Sequence, residues 1–345
     1  MSGGVDSSVT AALLKEQGYE VIGVTMKLLD SEEFCSTDSR SCCGYDAAKD
    51  AKMVADSLCI PHYTINAVEA FNATVIEDFI NEYTMGRTPN PCVRCNYFLK
   101  FDFLMKKARE LGCEYLATGH YAKMDEGILR RGNDQLKDQS YFLYPVFAAQ
   151  TDKILFPLGN MNKPEVRALA QRYNLPTAQK RESQDICFIP DGDYAQFLKK
   201  TAGLSFQPGK IVAVSGDVIG SHQGIQFYTV GQRKGLGALG QRMYVKQIDV
   251  EKNLVVAATD QELFSDAIDV TDFLCARNRS VVSGDHFLVQ VRYRSKPVGA
   301  VVETLCSEKF RIRFDTPVRA VAPGQSAVLY DGDMVVGGGL ISKAM

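Results

Sequence analysis

The feature that most constrains this chain is a change of texture near residue 203. Up to that point short apolar runs alternate with amphipathic stretches. The runs are Glu20 to Met26, His62 to Ile65 and Tyr115 to Thr118. The stretches are Asp6 to Gln17, Tyr45 to Leu58, Val68 to Tyr83 and Asn96 to Leu111, the first and last followed by Gly18 and Gly112. Strands alternating with helices dictate a parallel sheet covered on both faces, an α/β domain. Beyond Gly203 the runs become short and strand-like, broken by glycine turns, as in GKIVAVSGDVIGSHQG, FRIRF and SAVLYDGDMVVGGGLI. That pattern predicts two small all-β domains, barrels or sandwiches, joined near Asp266. The expected domains are 1–202, 203–266 and 267–345.

Three domains suit a chain of 345 residues, which exceeds the size at which one core stops growing. No stretch approaches the roughly 18 consecutive apolar residues of a membrane span, and no export signal opens the chain. The reading is a cytoplasmic protein that does not enter membranes, a monomer by default. Ten cysteines in such a compartment point to thiols, metal ligands or catalytic groups rather than a disulfide framework. A net charge of −2 excludes a globally basic nucleic-acid binder but leaves room for a local basic surface.

Chemistry begins at residue 1, with MSGGVDSS. A Walker A loop would need a lysine after its last glycine, and none is present. Instead Gly3 and Gly4 permit close backbone approach, while Asp6, Ser7 and Ser8 open a helix whose free N–H groups and dipole attract an anion. Such a loop fits a phosphate chain. In α/β folds it follows the first strand, yet no residue precedes Met1 to form one. We therefore expect the true start to lie roughly half a dozen residues upstream, one strand's length.

The stretch GRTPNPCVRCN holds a C-x-x-C pair, Cys92 and Cys95. Two prolines around Asn90 predict an extended segment with the helix starting after Cys95, which puts both thiols near a helix N-terminus, a position that raises reactivity. Alone the pair reads equally as half a zinc site, a redox dithiol or part of an iron–sulfur site. Cys187, in ESQDICFIP, reads by itself as a small buried residue. Cys59 and Cys113 read as apolar-face residues, and Cys275 and Cys306 as packing residues of the β region. Cys35, Cys42 and Cys43 fall in a polar loop near the opening of the nucleotide site.

Together MSGGVDSS, GRTPNPCVRCN, ATGHYAK, KDQSYFLY, FPLG, ESQDICFIP, YTVGQRKGLG, VRYR and TPVRAVAPGQSAVLYDGD run in order along nearly the whole chain. In this series the sequence strongly resembles the tRNA-specific 2-thiouridylase family, MnmA, within the adenine-nucleotide α-hydrolase-like ATP pyrophosphatases.

The resemblance implies an ATP-dependent sulfurtransferase acting on the wobble uridine of tRNA. ATP, with Mg2+, would adenylate the uracil C2 oxygen, and sulfur would replace it with release of AMP and pyrophosphate. Met1, Ser2, Gly3, Gly4, Val5, Asp6, Ser7, Ser8, Met26 and Gly119 would bind ATP. Asn90, Pro91 and Cys92 would meet the target base; His120, Lys137, Asp138, Gln139, Arg292, Tyr293 and Gln325 would contact tRNA. Cys187 would carry a persulfide with Cys95 as its partner.

Many family members have aspartate where this chain has Cys92. A second mechanism therefore competes, a 4Fe-4S cluster on Cys92, Cys95 and Cys187, and the extra soft ligand leans the reading toward it. The implied partners are tRNAs for Lys, Glu and Gln and a sulfur donor, a cysteine desulfurase or sulfur-carrier protein. Between Arg277 and Arg319 nine Lys or Arg stand against four Asp or Glu, with Arg292 and Arg294 expected on one strand face, an expected tRNA backbone surface. Two rival functions remain: another adenylating enzyme of the superfamily, and a metal-stabilised RNA-binding protein without catalysis.

Overall fold

The computed structural model describes residues 1–29, 45–149, 151–181, 186–189, 192–203, 205–237, 241–277, 279–306 and 309–345. Cys35, Cys42 and Cys43 lie outside them. The chain divides into two compact units. The first holds Met1–Ile76, Cys92–Asp193 and Asp333–Val335; the second holds Glu77–Pro91, Tyr194–Gly332 and Val336–Met345.

In the first unit, α1 (Val5–Glu16) leads to β1 (Gly23–Lys27), α2 (Tyr45–Ser57) and β2 (His62–Asn66). The parallel pairing of β1 with β2 runs from Gly23↔His62 to Lys27↔Asn66. Val5, Val9, Ala12 and Leu13 recur at helical spacing on α1 and are buried with Val54, Tyr121, Leu158 and Val166. The helix closes as Gly18 predicts: Tyr19 N–H bonds Leu14 C=O and Gly18 N–H bonds Lys15 C=O. Cys59 closes α2 in the same way at φ +49° and is exposed, so it is a helix-terminating residue rather than an apolar-face one. Met1 lies alongside β1: its amine donates to Val24 O and its carbonyl accepts from Thr25 Oγ1 at 2.7 Å. Burial pushes that amine's pKa down to about 5.

Next come α3 (Val68–Phe71), a π turn (Asn72–Ile76) and α4 (Glu77–Thr84), where one uninterrupted helix was expected. Then follow α5 (Pro91–Arg94), a second π segment (Cys95–Phe103) and α6 (Leu104–Glu110). The helix therefore begins at Pro91, five residues earlier than the expected start at Asn96. Proline's fixed φ suits the first helical position, where no N–H bond is required, so Pro91 starts the helix instead of delaying it. A second parallel ladder joins β3 (Leu116–Ala117) to β6 (Ile154–Leu155). Between them lie the hairpin β4 (Ala122–Asp125) and β5 (Ile128–Arg131) and the short α7 (Ser140–Leu143). After β6 comes α8 (Lys163–Arg172), opened by an Asn162/Glu165 capping box.

The second unit contains α4, α9 (Tyr194–Ala202) and the β elements. Strands β7 (Gly209–Ala213), β8 (Val218–His222), β9 (Tyr244–Asp249) and β10 (Leu254–Ala258) form a sheet in the order β8-β7-β10-β9. Its buried face carries Ile211, Val245, Val255 and Ala257.

Six further strands close a barrel: β11 (Phe264–Cys275), β12 (His286–Gln290), β13 (Val298–Cys306), β14 (Lys309–Arg319), β15 (Ser326–Asp331) and β16 (Met334–Ala344). The order β11-β14-β13-β12-β15-β16 returns to β11, so no edge stays open. Inward residues alternate along the strands, for example Ile268 with Val270, Ala300 with Val302 and Ala327 with Leu329. Asp266 falls where the register between β11 and β14 shifts, between Ser265↔Val318 and Ala267↔Arg313.

Candidate active site

The opening loop turns on Gly3, at φ +65°, where a Cβ would lie 2.3 Å from the Ala47 carbonyl oxygen. Gly4 is the N-cap of α1 and brings no side chain to cap its first amides. The loop's carbonyls are supplied with donors from the protein. Ser7 Oγ and Ser8 Oγ donate to Gly4 O at 3.1 and 2.8 Å, and Lys180 Nζ donates to Gly3 O at 3.0 Å. Lys180 also pairs with Asp50 at 2.5 Å. Thr177 Oγ1 donates to the buried Ser8 Oγ at 3.0 Å. With the Gly3 and Gly4 carbonyls each bonded to a donor, the loop presents a helix N-terminus whose dipole favours an anion.

Asp6 is held from two directions. Lys163 Nζ donates to both carboxylate oxygens, at 2.7 and 2.9 Å, and Tyr121 Oη donates to Oδ1 at 2.8 Å. The Lys163 side chain is only 10% exposed and that of Asp6 33%, so the ammonium is shielded from water while the carboxylate keeps part of its surface open. Lys163 is the first residue of α8, and its backbone N–H is bonded by Asp134 Oδ2 at 3.0 Å.

Gly119 lies against this turn. A Cβ there would meet Asp6 C at 2.8 Å and Ser7 N at 2.9 Å, so only glycine allows this approach. Neighbouring His120 is buried, with Nδ1 2.7 Å from Thr118 Oγ1 and Nε2 3.3 Å from Lys100 Nζ. The ammonium can only donate, so Nε2 accepts and Nδ1 carries the proton. Burial, helped by the Lys100 charge, holds the imidazole pKa well below its usual range. His120 is a neutral group at physiological pH.

Other expected site residues have internal work. Asp138 accepts from Gly132 N, Ser140 N, Ser140 Oγ and Arg131 Nη1, all at 3.0 to 3.1 Å. Gln139 Oε1 accepts from Tyr121 N at 2.9 Å. Both organise the loop after β5, tying it to the Tyr121 that steadies Asp6. Met26 sits near the end of β1, opposite Ile65.

The thiols differ in setting. Cys92, in the first turn of α5, is exposed, while Cys95, where the π segment begins, and Cys187 are half-buried. Phe188 packs edge-to-face on Phe71 of α3 at 5.7 Å, and α3 also packs against the π segment that starts at Cys95. Thus α3 touches both thiol-bearing segments. Among the described residues no three His, Cys, Asp or Glu side chains form a group able to hold a metal ion. No metal site is thus shown on the expected Cys92, Cys95 and Cys187 set.

In the second unit, Gln325 Nε2 donates to Thr88 O and Pro89 O at 3.0 and 3.1 Å. Thr88 N–H bonds Pro323 O at 2.8 Å, and buried Glu82 pairs with Arg87. These bonds fix the backbone leading to Asn90. Arg292 and Arg294 lie in a turn after β12, not on a strand face, because the ladder stops at Gln290, whose side chain donates to Arg292 O and Tyr293 O. Arg292 Nη2 donates to Val230 O at 2.8 Å. Much of the expected basic surplus is neutralised: Lys309 and Arg311 pair with Asp269, Arg313 with Glu303, Arg279 with Asp331 and Arg319 with Asp260. Three of those four acids lie outside the sequence window that was counted. Arg294 and Lys296 are exposed on the turn beside Tyr293.

Family models match in three consecutive parts. Residues 1–191 match a tRNA methyl transferase HUP domain, 195–259 a tRNA methyl transferase PRC-barrel domain and 267–341 an aminomethyltransferase beta-barrel domain. The tRNA-specific 2-thiouridylase MnmA of Carboxydothermus hydrogenoformans is 48% identical, covering 100% of this chain and 97% of that one. That of Caldanaerobacter subterraneus subsp. tengcongensis, MnmA 1, is 48% identical over 99% of this chain and 96% of its own length. That of Geobacter metallireducens is 46% identical over 100% and 96%.

The chain belongs to the MnmA family.

The three matches follow the α/β, β, β-barrel order of the MnmA fold read from the sequence. Four residues of this MnmA-family site escaped sequence reasoning: Tyr121, Lys163, Thr177 and Lys180. Tyr121 and Lys163 sit inside or just after the quoted ATGHYAK and FPLG stretches, which was the signal available. Nothing local marks Thr177 or Lys180, whose partners lie 169 and 177 residues away.

Proposed function

We propose that this chain thiolates carbon 2 of the wobble uridine of tRNA at the expense of ATP. The observation that carries the reading is the turn in which Gly119 lies against Asp6 and Ser7 at the N-terminus of α1, within a family whose relatives are named for tRNA 2-thiolation. MgATP enters with its phosphates over Ser2 to Ser8 and its base side toward Met26 and Gly119.

Uracil oxygen is a poor leaving group, and adenylation converts it to a good one. A persulfide on Cys187 then attacks carbon 2 through its terminal sulfur, and AMP leaves. Cys95 thiolate attacks the Cys187 sulfur, forming a Cys95–Cys187 disulfide and leaving the outer sulfur on the base. An external thiol reductant restores both cysteines. This persulfide route is favoured over the cluster because it needs two thiols rather than three converging ones. Each sulfur comes from a cysteine desulfurase or a carrier protein.

Asn90, Pro91 and Cys92 receive the base, which leaves the anticodon stack at a cost of a few kcal/mol. The turn of Arg292 to Lys296 supplies positive charge to the tRNA backbone. Lys137 and His120 act on the same RNA, His120 as a neutral group. No helix among the described residues is long and apolar enough to cross a membrane, and we assign the reaction to the cytoplasm. The test is tRNA-dependent exchange of labelled pyrophosphate into ATP. Exchange that requires tRNALys, tRNAGlu or tRNAGln supports the reading. Exchange driven by a small molecule without tRNA, or tRNA binding without exchange, overturns it.

A further inference from the structure

The opening loop cradles a phosphate chain without the lysine that a Walker loop carries in its own motif. A triphosphate needs cations nonetheless, most of all when pyrophosphate leaves with the electron pair of the broken bond. Buried against the loop is an ammonium from a distant part of the chain. We propose that Lys163 is a catalytic residue of the adenylation step, the cation that neutralises the departing pyrophosphate, with Asp6 as its counter-ion while ATP is absent. This rests on the reading of the loop as the ATP site.

Three features of the geometry support the assignment. Lys163 Nζ lies within 2.9 Å of both carboxylate oxygens of Asp6, in the first turn of α1, where the phosphates are placed. Its side chain is 10% exposed, and a lysine taken from water needs a charged partner at every stage, first the carboxylate and then the phosphate. Asp6 also keeps a second donor, Tyr121 Oη at 2.8 Å, so it stays in place when the ammonium turns to the phosphates. The root of Lys163 is fixed meanwhile by the bond from its backbone N–H to Asp134 and by the capping box of α8.

The step balances. Uracil O2 attacks the α-phosphorus, the N3 proton passes to solvent, and the bond from the α-phosphorus to its bridging oxygen breaks. The electron pair stays on pyrophosphate, whose added charge faces Lys163. Lys180 is engaged elsewhere, bonded to Gly3 O and to Asp50.

The test compares inhibition constants of pyrophosphate and of AMP in wild type and Lys163→Gln, which keeps a donor for Asp6. Pyrophosphate affinity should fall about 10- to 100-fold, the size of one charge-assisted hydrogen bond, while AMP affinity stays within a factor of about two. Lys163→Arg should recover most of the loss. Should Lys163→Gln fail to fold, Asp6→Asn is compared with the Asp6→Asn, Lys163→Gln double variant, which leaves no lone buried charge. The same 10-fold or greater fall between those two is expected. Unchanged pyrophosphate affinity in either comparison overturns the proposal. Lack of tRNA-dependent exchange in wild type would instead overturn the ATP-site reading beneath it.

Discussion

The side-chain amide of Gln325 donates to the carbonyl oxygens of Thr88 and Pro89, binding the turn before β15 to the segment that ends in Asn90 and Pro91. A residue expected to touch tRNA is thereby occupied in placing the loop proposed to receive the base. Gly324 makes the approach possible: a Cβ there would lie 2.7 Å from Thr88 O.

Gln325→Ala leaves two carbonyls without these donors. The loop loses definition where the base must be aligned, so kcat for thiolation should fall about 10-fold with the KM for tRNA changed less than threefold. Steady-state thiolation of a tRNA transcript measures both. A rise in KM alone would mean that Gln325 acts by direct contact.

Acid should weaken the fold through His120. Its folded pKa is depressed, so the unfolded chain binds a proton near pH 6.5 that the folded chain refuses. Stability from this group is therefore complete above that pH and is lost as pH falls toward the folded value. Urea midpoints at pH 7.5 and 5.0 should differ more for wild type than for His120→Gln. Equal acid sensitivity would show that the imidazole is not held neutral.

Gly119→Ala should separate the ATGH turn from α1. The added carbon would overlap backbone atoms, which cannot swing aside as a flexible side chain would. A cost of about 1–3 kcal/mol is expected for such overpacking, with tRNA-dependent pyrophosphate exchange reduced at least 10-fold. Thermal melting and the exchange assay together check it.

The cysteines should divide into two classes. Cys187→Ser and Cys95→Ser should abolish thiolation while leaving pyrophosphate exchange intact, because adenylation precedes sulfur transfer. Cys92→Ser should keep thiolation. Its loss together with bound iron in the anaerobically purified wild type would restore the cluster reading.

The α/β and β parts were legible because apolar periodicity is local, and the loop at Gly3 and Gly4 because its whole motif fits in eight residues. Pro91 was misread because a proline that starts a helix looks, from sequence, like one that prevents it. The basic surplus of the last domain was overstated for a different reason: Asp260, Asp269 and Asp331, which pair with its cations, lie outside the counted window. The bond between Lys163 and Asp6 spans 157 residues and follows only from the packing of α8 against α1.

The most direct measurement supplies the protein with ATP, a persulfide donor, a thiol reductant and unmodified tRNALys, tRNAGlu or tRNAGln, then quantifies nucleosides and AMP. The account predicts 2-thiouridine at the wobble position with one AMP formed per sulfur inserted. AMP formation without 2-thiouridine, or thiolation without ATP cleavage, would contradict it.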